Sequence, residues 1–302
     1  MNKILITGGA GFVGGHLTEE LLKLGHRVVV LDDESATSSE KFNWFKEAEN
    51  HKFSILEKDK LEELFKIKFD YVVHLAAETK VQLSIDDPEK CYRVNVLGTL
   101  NILELSRKYN VKRVIMASTS AIYGMNPSPH TTTQGPDCLN PYAASKICDE
   151  ELCKLYSRLY QLETVCFRFF NIYGERMPCG GPYAPVVAIF NKQKQNGEKL
   201  TITGDGEQRR DFIYVKDVVS ALIASLTSKD TRIVGGLFNL GTGKNYSVNQ
   251  IAKMVGGKHV YIAPRDADAR ETLADIELTK NILDWHPKME FDQWLRRQND
   301  NS

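Results

Sequence analysis

The sequence predicts an α/β protein: a doubly wound parallel sheet with a smaller, partly interleaved C-terminal lobe. Three observations lead there. Over the first two-thirds of the chain, short runs rich in Val, Ile and Phe alternate with longer helical patterns. A glycine-rich turn separates the first such run from the first helical stretch. Past Phe170 the elements shorten, and Gly and Pro gather in residues 174–185.

Taken in order, residues 3–7, 27–31, 71–75, 113–117 and 164–169 are continuous apolar runs of strand length, as expected for strands buried on both faces. Residues 12–24, 88–109 and 141–160 carry the helical patterns between them. Alternation at this spacing implies right-handed crossovers and parallel pairing. Residues 186–196 read as a further helix, 204–206 as a turn and 236–240 as another strand. Because 164–169 and 236–240 both read as sheet strands, the lobes interleave. The expected division is a cofactor domain over 1–170, with 212–245 contributing, and a mainly substrate-binding lobe over 171–302.

The 302 residues carry 39 basic and 39 acidic side chains, so no basic stripe marks a nucleic-acid binder, and anionic ligands must be held by a few placed groups. No apolar run reaches the roughly 18–20 residues that span a bilayer, and the apolar part of the N-terminus is too short for a signal peptide. A soluble, cytoplasmic protein without nucleic-acid or membrane partners is expected. Cys91, Cys138, Cys148, Cys153, Cys166 and Cys179 form no C-x-x-C pair and have no histidine at zinc-ligand spacing, so they read as small hydrophobes, with neither metal nor disulfide.

Thr7-Gly8-Gly9-Ala10-Gly11-Phe12-Val13-Gly14 falls between the first strand and the first helix. Gly8 permits the tight turn, Gly11 lets backbone approach a pyrophosphate, and Gly14 lets the helix pack close to the sheet, with Phe12 and Val13 opening that helix. Asp32 follows the second strand, 18 residues beyond Gly14. A carboxylate there accepts hydrogen bonds from both ribose hydroxyls and repels a 2′-phosphate; with no arginine close behind it, NAD is the expected cofactor. Asp33 either shares that task or starts the next turn. His74-Leu75-Ala76-Ala77 ends a strand with small residues, so Leu75, Ala76 and Ala77 leave room for a cofactor, whereas His74 reads as a satisfied, partly buried histidine. Asn95 is a polar residue on an otherwise apolar helix; it either bonds locally, bridging helices, or faces the cofactor.

Tyr142 and Lys146 lie four apart on one face of a helix that Pro141 suits as a start. Thr119 precedes Tyr142 by 23 residues, where a strand gives way to the polar turn Ser118-Thr119-Ser120. A free phenol titrates near about 10 and is a poor base at neutral pH. A Lys ammonium and a positive nicotinamide both favour the phenolate; lowering its pKa by about three pH units takes roughly 4 kcal/mol. A hydroxyl from Thr119 can fix the substrate oxygen for proton transfer. Loss of that proton as hydride leaves for NAD turns an alcohol into a ketone.

Together with Arg168-Phe169-Phe170-Asn171-Ile172-Tyr173-Gly174, residues 204–212, Asn239-Leu240-Gly241-Thr242-Gly243 and Leu283-Asp284-Trp285-His286-Pro287, these motifs cover nearly the whole chain. It resembles the extended short-chain dehydrogenases/reductases with a Rossmann domain, within them the sugar-nucleotide epimerase/dehydratase family of the UDP-glucose and UDP-N-acetylglucosamine 4-epimerase kind. The resemblance implies that Tyr142 is the acid/base, that Lys146 binds the nicotinamide ribose, and that Thr119 holds the Ser/Thr position. It implies a nucleotide-sugar substrate, with Arg210 on its diphosphate, Arg265 and Arg270 in a second basic stretch, and Asn171 hydrogen-bonded to it. Residues 57–61, where the family carries an Asp for adenine, are too divergent to align.

Relatives that eliminate water resemble Thr-Asp-Glu from the Thr119 position onward, and decarboxylating relatives resemble Thr-Ser-Glu. Ser120-Ala121 supplies no carboxylate, which favours C4 epimerisation over dehydration or decarboxylation. Thr272, aligned through Ala274-Asp275, stands where some hexose epimerases carry a bulky Tyr, and its smaller volume suits an acetamido sugar, as does the segment 178–185. An NAD-sensing regulator is the alternative of another class, but such proteins lose the Tyr or Lys kept here. Relatives pair the helices at 88–109 and 141–160 across a two-fold axis, so a homodimer using Leu100, Leu103, Leu152, Leu155 and Tyr156 is expected.

Overall fold

The computed structural model describes residues 1–36, 42–178, 185–264 and 269–300. The chain runs β1 (Lys3–Thr7), α1 (Phe12–Lys23), β2 (Arg27–Asp32), β3 (Glu49–Lys52), α2 (Lys58–Phe65), β4 (Tyr71–His74), α3 (Val81–Asp86), α4 (Pro88–Tyr92), α5 (Gly98–Lys108), β5 (Arg113–Thr119), α6 (Pro141–Tyr160) and β6 (Glu163–Phe169). It continues through β7 (Asn171–Tyr173), α7 (Val186–Gln195), β8 (Leu200–Thr203), β9 (Arg209–Tyr214), α8 (Val215–Thr227), β10 (Gly236–Leu240), β11 (Asn245–Ser247), α9 (Val248–Val255), β12 (His259–Ile262), α10 (Glu277–Leu283) and α11 (Phe291–Asp300).

Seven strands form one sheet in the order β10-β6-β5-β4-β1-β2-β3, and every pairing in it is parallel. The register sets Thr7 opposite both Leu31 and His74, and Thr119 opposite Phe169, so the carboxyl ends share one edge. Strand order reverses between β1 and β4, the switch point at which such sheets bind ligands. Leu17 and Leu21 of α1 and Val218 and Leu222 of α8 cover one face. Leu61 and Leu64 of α2, Ile102 and Leu105 of α5, and Cys153 and Tyr156 of α6 cover the other. A third core joins Tyr173, Phe190, Phe212, Phe291 and Trp294 around the small sheet β11-β9-β7, with Phe212 and Phe291 stacked 4.6 Å apart.

Residues 88–108 form one continuous helical stretch with a π-helical turn inside it. Asp87 caps α4, accepting from Lys90 N at 3.0 Å, and Arg93–Leu97 then form a π-helical turn before α5 begins. The extra residue in such a turn shifts the residues after it around the helix axis relative to those before it. The edge strand β3, Glu-Asn-His-Lys, is polar and part-exposed throughout, which is how an outer strand avoids pairing with another chain.

Phe167 in β6 is fully buried, with its ring 5.7 Å from that of Phe238 in β10. Phe167→Ala should cost about 3–5 kcal/mol, read as a lower urea midpoint at unchanged slope.

Candidate active site

The turn between β1 and α1 is tightly enclosed. Gly8 has φ +69°, donates its N–H to Leu31 O at 2.8 Å, and lies so close to the β4 side that a Cβ would stand 2.7 Å from Ala76 N. A Cβ on Gly14 would fall on the Gly8 carbonyl and 2.6 Å from Gly9 Cα, so α1 reaches its position only with a bare backbone there. Gly11 is the N-cap and offers no side-chain cap, leaving the first amides of α1 for an anion. At the end of β2, Asp32 accepts from Ala10 N at 3.1 Å and Glu34 N at 2.8 Å. Burial raises its pKa and the two backbone donors oppose that rise.

A cavity of about 640 Å³ runs along this edge and into the C-terminal lobe. Gly8, Gly11, Phe12, Val13, Gly14 and Asp32 line it, as do Leu75, Ala76 and Ala77. Thr119, Tyr142, Lys146, Asn171 and Arg210 line the same cavity. These groups fit a dinucleotide: uncapped helix amides to donate to the pyrophosphate, a carboxylate to accept from a ribose, and Phe53 with Ile55 as an apolar wall. Phe53 and Ile55 escape a reading by pattern because they follow the polar strand β3, which carries no strand signal of its own.

Other expected residues lie elsewhere. Asn95 is buried off the cavity; its Nδ2 donates to Ser145 Oγ at 2.8 Å and to Glu78 O, and its Oδ1 accepts from Glu78 N. It is a bridge between helix and loop. Thr272 is buried behind Asn171, its hydroxyl accepting from Asp211 N at 3.2 Å and Asn171 Nδ2 at 3.4 Å. Arg270 forms a two-pronged, solvent-exposed pair with Asp205 at 2.8 and 2.9 Å. Arg265 and residues 179–184 of the Gly/Pro-rich segment lie outside the described residues.

Thr119 is the last residue of β5, and its hydroxyl accepts from Ala121 N at 3.1 Å. Asn140 caps α6 by accepting from Ala143 N at 2.9 Å, which fixes Tyr142 in the first turn and Lys146 one turn on. Burial raises the pKa of the Tyr142 phenol, while the Lys146 charge and the Thr119 hydroxyl draw it down. Burial would lower that of Lys146, but Asp149, 2.8 Å away, together with Tyr142 raises it above the ordinary lysine value, which keeps the ammonium charged. The next acid, Glu150, takes Arg168 in a two-pronged pair at 2.9 and 2.7 Å, and the Arg168 guanidinium stacks 4.7 Å over Tyr123. His74 is buried between Thr7 at 2.6 Å and Thr99 at 3.0 Å, and burial depresses its pKa to about 3, so it is neutral.

A family model described as "NAD dependent epimerase/dehydratase family" matches residues 4–241. The chain belongs to that family. A UDP-glucuronate 4-epimerase of Thermodesulfobacterium geofontis is 36% identical, covering 98% of this chain and 95% of that protein. UDP-glucuronic acid decarboxylase 1 of Xenopus tropicalis is 33% identical over 98% of this chain and 70% of its own length. The structure of the UDP-glucose 4-epimerase of Thermotoga maritima with UDP-glucose superposes with a TM-score of 0.92 at 36% identity, over 99% of this chain and 97% of that one. In an NAD-dependent family, the uncapped α1 terminus beside Asp32 is the part of the cavity with the chemistry to take the cofactor.

Asp32→Ala removes an ionised acceptor, so it should weaken NAD binding by about 1.5–3 kcal/mol, roughly ten- to hundredfold, in a calorimetric titration.

Proposed function

We propose that this chain is an NAD-dependent nucleotide-sugar 4-epimerase, oxidising C4 of a UDP-hexose or UDP-N-acetylhexosamine to a transient 4-keto sugar and reducing it from the opposite face. One observation carries the choice of reaction. Thr119 and Tyr142 meet at the carboxyl end of β5, whereas the carboxylates lining the cavity among the described residues, Asp32 and Asp33, stand at the end of β2. Three strand spacings, about 14 Å, separate those ends. Elimination across C5 and C6 needs an acid and a base beside the sugar, and Ser120-Ala121 provides neither.

In this reading Thr119 hydrogen-bonds the C4 oxygen and Tyr142 takes its proton. Lys146 steadies the phenolate and reaches the ribose. When bound, NAD accepts the hydride and returns it, so it is regenerated in each cycle. Tyr142 then gives the proton back to C4 oxygen, which leaves the product isomeric with the substrate. Arg210 on β9 offers a guanidinium fork for the diphosphate, and Asn171 a hydrogen bond for the substrate. Arg270, engaged with Asp205, has no part in this assignment, and Thr272 acts on sugar size only through the Asn171 amide in front of it. The free thiols of Cys91, Cys138, Cys148, Cys153 and Cys166 support a reducing, cytoplasmic setting. Among the described residues no helix is long and apolar enough to cross a membrane.

We also propose a homodimer through α5 and α6, over a different set of side chains from that expected. Leu103 and Tyr156 are buried in this chain's own core, and Leu100 and Leu152 pack against it. Over residues 88–109 and 141–160, the large apolar side chains left exposed are Tyr92, Leu97, Leu155, Leu159 and Tyr160. Light scattering should give twice the 34.2 kDa chain mass, and Leu155→Arg with Leu159→Arg should halve it.

Tyr142→Phe should lower turnover by roughly 10²–10⁴-fold on the true substrate. Mass spectrometry after incubation with UDP-glucose, UDP-N-acetylglucosamine and UDP-glucuronate should show an epimer of unchanged mass. A product lighter by water or carbon dioxide would replace the epimerase reading with a dehydratase or decarboxylase.

A further inference from the structure

Lys146 has almost no access to water: its side chain is 3% exposed and that of its partner Asp149 is 0% exposed. A lysine so placed loses its proton readily unless a counter-charge is fixed beside it. Asp149 is that counter-charge, one turn further along α6, with Oδ2 2.8 Å from Lys146 Nζ. Glu150 cannot substitute, because it is bound to Arg168 and to Ser118 Oγ. Around the pair stand Tyr142, Glu150 and Cys153 on α6, His74 from β4, Thr99 from α5 and Cys91 from α4. Of these, His74 is held neutral, and Glu150 is already neutralised by Arg168.

The pair is also tied to the glycine turn. Burial raises the Asp149 pKa, and the Lys146 charge and then the Thr99 hydroxyl beside the carboxylate draw it back; Oδ1 has no aligned donor. Thr99 bonds His74, and His74 bonds Thr7, the residue before Gly8. A continuous buried chain of polar groups therefore runs from the cofactor turn to Lys146.

We propose that Asp149 is the positioning residue of the Tyr142–Lys146 pair: through the buried Lys146–Asp149 ion pair it keeps the ammonium charged and aims it at the cofactor ribose and Tyr142. This rests on the assignment of Tyr142 and Lys146 as the catalytic pair. Asp149 touches neither substrate nor reacting atoms; it acts only through Lys146.

The sign of the effect follows from burial. With Asp149 present, the Lys146 pKa lies above the ordinary lysine value, and the charge disappears only as pH rises past that raised value. In Asp149→Asn the strongest influence opposing burial is gone, the pKa falls, and the ammonium is lost at a lower pH than in the wild type. The test is ¹³C NMR of the purified full chain with lysine labelled at Cε, the Lys146 signal being identified by its loss in Lys146→Met. The wild-type signal should show no titration up to about pH 10, and that of Asp149→Asn should titrate at least about one pH unit lower. In parallel, kcat of Asp149→Asn should acquire an alkaline limb, with about tenfold or greater loss at pH 9 and KM near the wild-type value. Asp149→Glu, which returns the carboxylate, should move both readouts back toward wild type.

An unchanged titration and pH profile in Asp149→Asn would overturn the proposal. Should that variant not fold, a wild-type Lys146 signal that titrates below the ordinary lysine range overturns it equally. Normal turnover by Tyr142→Phe would defeat the catalytic assignment instead, and would leave the lysine titration where it was.

Discussion

Parallel pairing brings the carboxyl ends of β2, β1, β4, β5 and β6 to one edge of the sheet, and the site depends on how closely the segments leaving that edge approach each other. Gly8 lies against the backbone of Leu75 and Ala76, and α1 can follow only because Gly14 leaves the Gly8 carbonyl uncovered. The same crossing from β1 to β4 carries the Thr7–His74 bond. Moving β4 outward to admit a Cβ at Gly8 would therefore open the cofactor turn and pull on the polar chain that ends at Lys146. Geometry at the dinucleotide end and electrostatics at the catalytic end are set by one strand contact.

Two buried ion pairs leave adjacent residues of α6 in different directions, Asp149 to Lys146 and Glu150 to Arg168. Buried pairs are weak sources of net stability, because desolvation offsets most of their attraction. Here they divide the work of orientation. Glu150 and Arg168 fix the helix against β5 and β6, with Ser118 and Tyr123 completing the contact. Asp149 then meets Lys146 at a defined height above β4. Each carboxylate faces its own cation, Asp149 holding Lys146 and Glu150 holding Arg168.

The buried strands, the glycine turn and the residues that converge on the cavity were legible because each leaves a local mark: an apolar run, a glycine where no Cβ fits, a Tyr and Lys on one helical face. What escaped lacks such a mark. β3 is polar because it is an outer strand, and the π-helical turn within 88–109 leaves no mark in composition. Motif position places Arg270 and Thr272 beside the substrate, but the first turns outward to Asp205 and the second sits behind Asn171. Asp149 could pass for a solvated helix residue in sequence; only the packing of α5, β5 and β6 against α6 reveals its burial. Leu103 and Tyr156 were assigned to an interface because apolar faces alone do not say which neighbour covers them.

β6 acquires its outer neighbour late. β10 pairs along 165–169 from a position that begins at residue 236, after the 66 residues between β6 and β10 have supplied much of the C-terminal lobe. At synthesis rates of about 5–20 residues per second, that interval lasts roughly 3–13 s. Throughout it, the Thr-Val-Cys-Phe-Arg-Phe strand presents an open hydrogen-bonding edge to other nascent chains, and the sheet over residues 1–170 remains one strand short. A shortened version ending at residue 170 would keep that edge for good, which makes the interleaved connection a barrier to separating the two halves of this protein during evolution.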